Sequence, residues 1–268
     1  MGPRRITWVA GDNYRALFSD PQLRFALTNS AIYTAMNVPA QLAAALGLAM
    51  LIRRARRMTW WITIYYAPHA LAGVATILIW WWLLNPQVGP VNRTLGSIAE
   101  SLRAIGIESV PEWSRPLWLY SPALAKPSLV LMNLWHVGGG MLIFLAALLR
   151  GGDVLLDAAR VDGASCWRRF WHVTLPLVSP AIFFNALTGV IYSMQEFDQP
   201  FLLFNYQQGG SLQFYSLYLY QIAFEHQRFG YASAVAVAFL GAMLVIVYSA
   251  VLMVRRWVHY QFTEGEVA

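Results

Sequence analysis

Five stretches of the chain run free of charged residues for long enough to cross a bilayer: roughly Ala26–Ile52, Trp60–Leu84, Pro127–Leu149, Leu177–Gln195 and Gly230–Val254. About 20 helical residues span the hydrocarbon core, so each predicts one transmembrane helix. A further uncharged run, Gln199–Phe224, contains Asn205, Gln207, Gln208, Gly209 and Gly210, which predict a polar loop rather than another span. The strand-like alternation of a membrane barrel is absent from the pattern. The expected fold class is therefore all-α, a polytopic membrane helical bundle.

The polar connections divide the chain further. Residues 1–25 read as an external segment, 26–254 as the transmembrane domain, and 255–268 as a cytoplasmic tail. Residues 85–126 form an external loop. Within it Leu95, Ile98, Leu102 and Ile105 recur at helical spacing, predicting a short amphipathic helix on the outer surface or against the bundle. Residues 150–176 form a charged loop between the third and fourth spans. Asp153 is placed to cap a helix whose first turn or so includes Asp157, where negative charge suits the dipole. Val154, Leu155, Ala158 and Val161 line one face of it. Asp162-Gly163 signals a turn, with Gly163 able to take the positive φ that ends a helix. Ser165 caps a second short helix, with Trp167, Phe170, Trp171 and Thr174 turned inward and the arginines outward, and Pro176 marks the start of the fourth span. By itself this block also fits an ordinary interfacial loop.

Composition agrees with a membrane protein. Mean hydropathy is +0.46 and only 12% of residues are charged, against about 25% in soluble domains. The net charge of +6 is carried almost wholly by arginine. Because the arginines cluster at the ends of apolar runs, they report topology rather than nucleic-acid binding. Arg53, Arg54, Arg56, Arg57, Arg150, Arg160, Arg168, Arg169, Arg255 and Arg256 lie close to one set of span ends. The opposite connections hold Arg93, Arg103, Arg115, Lys126 and Arg228 over longer segments. The first set is expected in the cytoplasm, which puts the N-terminus outside despite Arg4, Arg5, Arg15 and Arg24. A span missing upstream, from truncation or a misplaced start codon, would resolve that conflict. The single cysteine, Cys166, excludes an internal disulfide and a multi-cysteine metal site.

The stretch D-A-A-R-V-D-G-A at 157–164, with Phe170, L-P at 175–176 and Pro180, resembles the EAA loop of the permease subunits of bacterial ABC importers. Ala158, Ala159, Asp162, Gly163, Ala164, Phe170, Leu175 and Pro176 match that pattern. Asp157 stands in place of the leading Glu, and Val173 in place of an Ile. G-D-N-Y-R-A-L-F-S-D-P at 11–21, N-S-A-I-Y-T at 29–34, Q-E-F-D-Q-P-F-L-L-F at 195–204, Y-Q-I-A-F at 220–224 and F-G-Y-A-S-A at 229–234 are similar to the maltose and sugar-type branch. Gly151-Gly152 replaces an Ile-Pro, and Gly209-Gly210 is followed by Ser211 rather than proline. The resemblance implies the type I importer permease fold with its first span absent here, in the inner membrane. It implies a second permease subunit, cytoplasmic ATP-binding subunits and an external solute-binding protein as partners. The loop would dock in an ATPase, with Asp157 and Gly163 central. The chain would hold no cofactor, ATP and Mg being used by the partner. A phosphate-cradling G-x-x-x-x-G-K-[ST] is missing, since Lys126 is followed by Pro127.

Polar residues inside a span default to pathway candidates. Asn185, Thr188, Tyr192 and Gln195 share one face of the fourth span, with Glu196 and Asp198 at its outer end. Asn133 and His136 lie in the third. Neutral hydrogen-bonding groups beside aromatics suit a carbohydrate (a sugar, oligosaccharide or glycerol phosphate), although helix–helix hydrogen bonding uses the same residue types. Gly138, Gly139 and Gly140 predict a kink or a close helix approach. Two other classes remain distinguishable. A secondary transporter would need only an ion gradient, and a membrane enzyme would turn over substrate alone. The chain lacks H-E-x-x-H, G-x-S-x-G and any paired Cys/His set.

Overall fold

A computed structural model of the chain describes residues 9–71, 73–106, 116–150, 152–203 and 210–254. Arg4, Arg5, Arg115, Arg255, Arg256 and the loop residues Asn205, Gln207, Gln208 and Gly209 lie outside them. Among the described residues every regular element is helical. A short α1 (Asp12–Ser19) leads into α2 (Pro21–Arg53). At 33 residues, α2 is about 50 Å long, well beyond the hydrocarbon thickness. The helix that carries the first span starts at Pro21, because Asp20 Oδ1 accepts from the Gln22 and Leu23 amides and caps it.

The expected second span is broken. α3 (Met58–Tyr66) passes into a 3-10 turn at Ala67–Ala70, and α4 (Gly73–Leu83) leaves at 94°. Pro68 and Gly73 sit at the break, one lacking a donor and the other lacking a side chain. The third is also bent: α6 (Pro122–Leu134) and α7 (Gly138–Leu149) meet at 54°. With each bent pair counted once, five crossings result. Between the pairs lies α5 (Pro90–Ala104). Its inward positions are Asn92, Leu95, Ala99 and Leu102, whereas Ile98 and Ile105 stay exposed. The helix is fixed by polar contacts the apolar pattern does not reveal: Trp118 Nε1 donates to Asn92 Oδ1 at 2.8 Å, and Asn92 Nδ2 to the Pro116 carbonyl at 3.1 Å.

After α7 come α8 (Gly152–Val161) and α9 (Cys166–Arg169). A π-helical turn at Phe170–Thr174 joins α9 without a break to α10 (Leu175–Met194). Pro176 has no N–H for the carbonyl four residues back, and the wider turn, with the Leu175 amide on the Phe170 carbonyl, accommodates it. The fourth span therefore belongs to one apolar helical run from Cys166 to Leu203, including α11 (Asp198–Leu203), and does not begin at Pro176. α12 (Tyr215–Tyr220), a second π turn at Gln221–Glu225 and α13 (Phe229–Val254) complete the chain.

α2 is the central element, packed against α6, α7, α10 and α12. Around its C-terminal half, Ala45, Ala49 and Ile52 pack with Met141, Phe144, Leu148 and Val178. Around its N-terminal half, Tyr33 packs with Leu129, Met132 and Phe214, and Leu23 and Ala26 with Tyr215, Tyr231 and Val235. Two glycines allow close approach. A Cβ at Gly138 would lie 2.6 Å from the Tyr65 carbonyl oxygen, and one at Gly140 would lie 3.2 Å from Asn185 Oδ1. These contacts seat α7 against α3 and α10.

Candidate functional site

A cavity of about 430 Å3 opens between α2, α6, α7 and α10, within the roughly 300–1,000 Å3 of small-molecule sites. Asn133, Asn185, Thr188, Tyr192 and Glu196 line it, as the polar pattern of the spans predicts. Gln195 does not: α10 ends at Met194, and Gln195 leaves the stripe as its cap. His136 also lines the cavity. Three polar lining residues are not among those the sequence singles out, namely Asn37 and Gln41 of α2 and Ser193 of α10. Asn29, Tyr33, Asn37 and Gln41 recur every fourth residue of α2, which was the signal available.

Hydrogen bonds tie these walls together. Asn37 Nδ2 donates to Ser193 Oγ at 2.9 Å, and Gln41 Nε2 to the Asn133 carbonyl at 2.5 Å. Asn133 Nδ2 donates to the Tyr33 hydroxyl, and Gln199 Nε2 to Asn133 Oδ1 at 2.8 Å. Asn185 and Thr188 donate to carbonyls of their own helix, at 3.0 Å to Ala181 and 2.8 Å to Phe184. Part of the polar lining thus serves helix packing, as the alternative reading requires. Tyr192 keeps an exposed ring at the rim. Neither Lys nor Arg lines the cavity.

At the other end of α10 the charged loop has a different character. α8 starts at Gly152, so Asp153 falls within its first turn rather than capping it from outside. Asp157 pairs with Arg160 at 2.5 Å on the exposed surface. Gly163 has φ +73°, with its amide on the Arg160 carbonyl and the Ala164 amide on the Ala159 carbonyl, a Schellman stop. Ser165 Oγ accepts from the Arg168 amide and caps α9. Leu156 and Ala159 face the bundle more than their neighbours, and the predicted apolar face is turned out: Val161 is 88% exposed and Val154 75%. Of the predicted inward side, Thr174 is buried and Phe170 half-buried, but the two tryptophans are not inward. Trp167 is 71% exposed and clusters with Phe170 and Trp171, both rings within 6.1 Å. Periodicity marks which residues share a face, but not whether the chain itself covers it. Ala158, Asp162 and Pro176 are likewise exposed.

Residues 21–259 match the family of the binding-protein-dependent transport system inner membrane component. The chain belongs to that family. It is 34% identical over 266 residues to the probable ABC transporter permease protein YesP of Bacillus subtilis (strain 168), across 96% of this chain and 81% of YesP. To the lactose transport system permease protein LacF of Rhizobium radiobacter it is 30% identical, across 84% and 73% of the two chains. The solved structure of a bacterial ABC transporter involved in import of the acidic polysaccharide alginate contains a chain that superposes with TM-score 0.78 at 25% identity, covering 94% of this chain and 85% of that one. The protein is thus a multi-pass inner-membrane permease of a binding-protein-dependent ABC importer. In this permease α10 is shared by both sites, carrying the cavity wall toward its C-terminal end and the loop at its N-terminal end.

Proposed function

We propose that the cavity is this permease's half of a carbohydrate path, and that α8 and α9 seat in a cytoplasmic ATPase. The observation that carries the proposal is the cavity's chemistry: carboxamides and hydroxyls from three helices beside the exposed Tyr192 ring, with His136 and Glu196 also present and neither Lys nor Arg among them. Such a lining suits hydroxyl-rich, ring-bearing molecules, whose apolar faces stack on aromatics. Relatives named for lactose and for sulfoquinovosyl glycerol, and the alginate importer, support the same class. A second permease subunit supplies the facing wall, and the external binding protein delivers the solute.

The energy comes from the partner, because this chain lacks a phosphate-cradling loop. ATP and Mg are held by the ATP-binding subunits. Asp157, Ala158, Ala159, Asp162, Gly163 and Ala164 form the docking turn, and Phe170 and Pro176 lie in the first turns of the helix that carries motion inward. The continuous helix Cys166–Met194 is the lever, with Glu196 just past its end. A displacement at the dock therefore moves Asn185, Thr188, Tyr192 and Glu196 together, alternating access to the cavity. The test is reconstitution of the complete importer in proteoliposomes. Uptake of labelled oligosaccharide must require ATP, the binding protein and the ATPase; uptake driven by an ion gradient alone would refute the reading.

A further inference from the structure

The cavity has a side chamber of about 130 Å3 between α4, the end of α6 and the start of α11. Asn133, His136 and Glu196 line both spaces and form the boundary between them. The polar side chains around this boundary share one orientation. Asn37, Gln41, Asn133 and Gln199 each donate a side-chain N–H to protein: to Ser193 Oγ, the Asn133 carbonyl, the Tyr33 hydroxyl and Asn133 Oδ1. Asn185 and Thr188 donate to carbonyls of their own helix. What these bonds leave open is acceptor capacity. Asn37, on the cavity lining, and Gln199, on the chamber lining, are each only 7% exposed, and the Oδ1 of one and the Oε1 of the other are buried without a hydrogen-bond partner. Among the described residues, Trp80 Nε1 is the one unpartnered buried donor on either lining.

Charge has the same bias. Glu196 lines both spaces and Asp198 the chamber, and neither forms a salt bridge among the described residues. Glu196 Oε1 accepts from the Gln199 amide at 3.3 Å, a long bond that leaves most of the carboxylate's acceptor positions open. Asp198 is exposed and screened by water, whereas Glu196 is half-buried. Neither Lys nor Arg lines either space. His136 is the base present, and an ordinary imidazole is largely neutral above about pH 7. A cleft with low-dielectric walls and one sign of charge concentrates its field. An anion entering it would lose its water and meet open acceptors, which is costly. A hydroxyl or an amine brings the hydrogen these oxygens lack.

We propose that the cavity and its chamber form an acceptor-lined, negatively charged filter. It takes saccharides through their hydroxyl and amine donors and turns away those bearing carboxylate, sulfonate or phosphate groups, and Glu196 is the residue that sets its charge. The filter rests on the carbohydrate reading above and narrows it. The superposed importer, involved in import of an acidic polysaccharide, marks the class of solute that this chain should refuse.

The test uses the complete importer in lipid nanodiscs, with Tyr192→Cys on the cavity rim. Cys166, exposed in the charged loop, is the internal reference, and peptide mass spectrometry separates the two positions. Three methanethiosulfonate reagents are compared at about pH 8, where an ordinary imidazole is neutral: a trimethylammonium cation, a sulfonate anion and a neutral hydroxyethyl compound. Each rate is divided by that of 2-mercaptoethanol with the same reagent. The cation-to-anion ratio then cancels the thiolate fraction that governs reactivity. At position 192 this ratio is expected to be about ten. Glu196→Gln should lower it at least about threefold, Glu196→Asp should preserve it, and Asp198→Asn should have the smaller effect. The ratio at Cys166 should not move in any of these variants. A ratio near one, or one that Glu196→Gln leaves unchanged, overturns the filter, while access of the neutral reagent keeps the carbohydrate reading standing. A position 192 that even the neutral reagent fails to reach overturns both.

Discussion

The two poles of the permease handle their polar and apolar groups in opposite ways. At the outer pole the fold closes on itself. Asp20 caps α2 with Oδ1 and accepts from the Tyr218 and Tyr231 hydroxyls with Oδ2, at 2.6 and 2.5 Å. Arg228 lies 4.9 Å over the Tyr231 ring. One carboxylate thereby joins α2, α12 and α13. At the cytoplasmic pole the fold leaves itself open, with Val154, Val161, Trp167 and Trp171 exposed beyond the last packed turn. Exposed apolar clusters of this kind mark interaction sites. On the docking reading proposed above, the outer pole is built for integrity within the chain, although Phe18 and Ile105 are exposed there too, and the inner pole for a partner. Substitutions at the inner pole should abolish transport while sparing the fold, and those at the outer pole should do the reverse.

The largest effect is expected at the docking turn. Gly163→Pro cannot take φ +73° and removes the amide bonded to the Arg160 carbonyl. Asp157→Lys reverses a charge whose exposed pairing with Arg160 contributes no more than about 1 kcal/mol. Both should eliminate ATP-driven uptake while membrane insertion and thermal unfolding in detergent change little. Normal uptake in either variant would refute the docking role. Next come the cavity variants. Tyr192→Ala removes an exposed ring and no internal hydrogen bond, so it should raise the apparent KM for sugar uptake about tenfold, the equivalent of 1.4 kcal/mol. Asn37→Leu breaks the bond to Ser193 and should lower uptake and stability together.

How these sites showed in the sequence explains where reading it stops. The apolar runs predict the bundle because length and lack of charge are sufficient for a span. They do not predict the bends at Pro68 and at Trp135–Val137, since hydropathy averages across a break. The loop's turn was legible, since Asp162-Gly163 can end a helix in only a few ways. The direction of its apolar face was not, because an apolar stripe predicts burial but the covering partner is outside this chain. The polar stripe of α10 was visible as a cluster of Asn, Thr and Tyr, whereas Asn37 and Gln41 were hidden in a long alanine-rich segment. Gly138 illustrates the same limit. G-G-G predicts closeness, but only the fold shows that the close neighbour is the α3 backbone. Gly138→Val should therefore cost about 2–3 kcal/mol, seen as a lower midpoint in detergent unfolding.

The smallest effect belongs to Asp20. Burial pushes its carboxyl upward, but the Tyr218 and Tyr231 hydroxyls and the Leu23 and Gln22 amides outweigh that and hold it below the usual carboxylate range. Tyr218 moves the other way: burial, then the hydrogen bond to Asp20, pushes its pKa up, so it stays protonated and remains the donor. A group whose folded pKa is depressed contributes stability above its unfolded value, about 3.9. That contribution disappears as pH falls through the lower, folded value. The contribution of Asp20 to the permease's unfolding midpoint should accordingly be full and constant between pH 5 and 8 and decline below roughly pH 4. Asp20→Asn keeps a competent helix cap through Oδ1 but turns its amide N–H groups toward both tyrosines, which donate to the same Oδ2, so it should cost about 1–2 kcal/mol at neutral pH. It should also flatten the acid decline. Uptake at saturating sugar should stay near normal, because the outer latch touches neither the cavity nor the docking turn. An Asp20→Asn variant that folds normally yet transports poorly would break the division between the poles, by showing that the outer latch opens during the cycle.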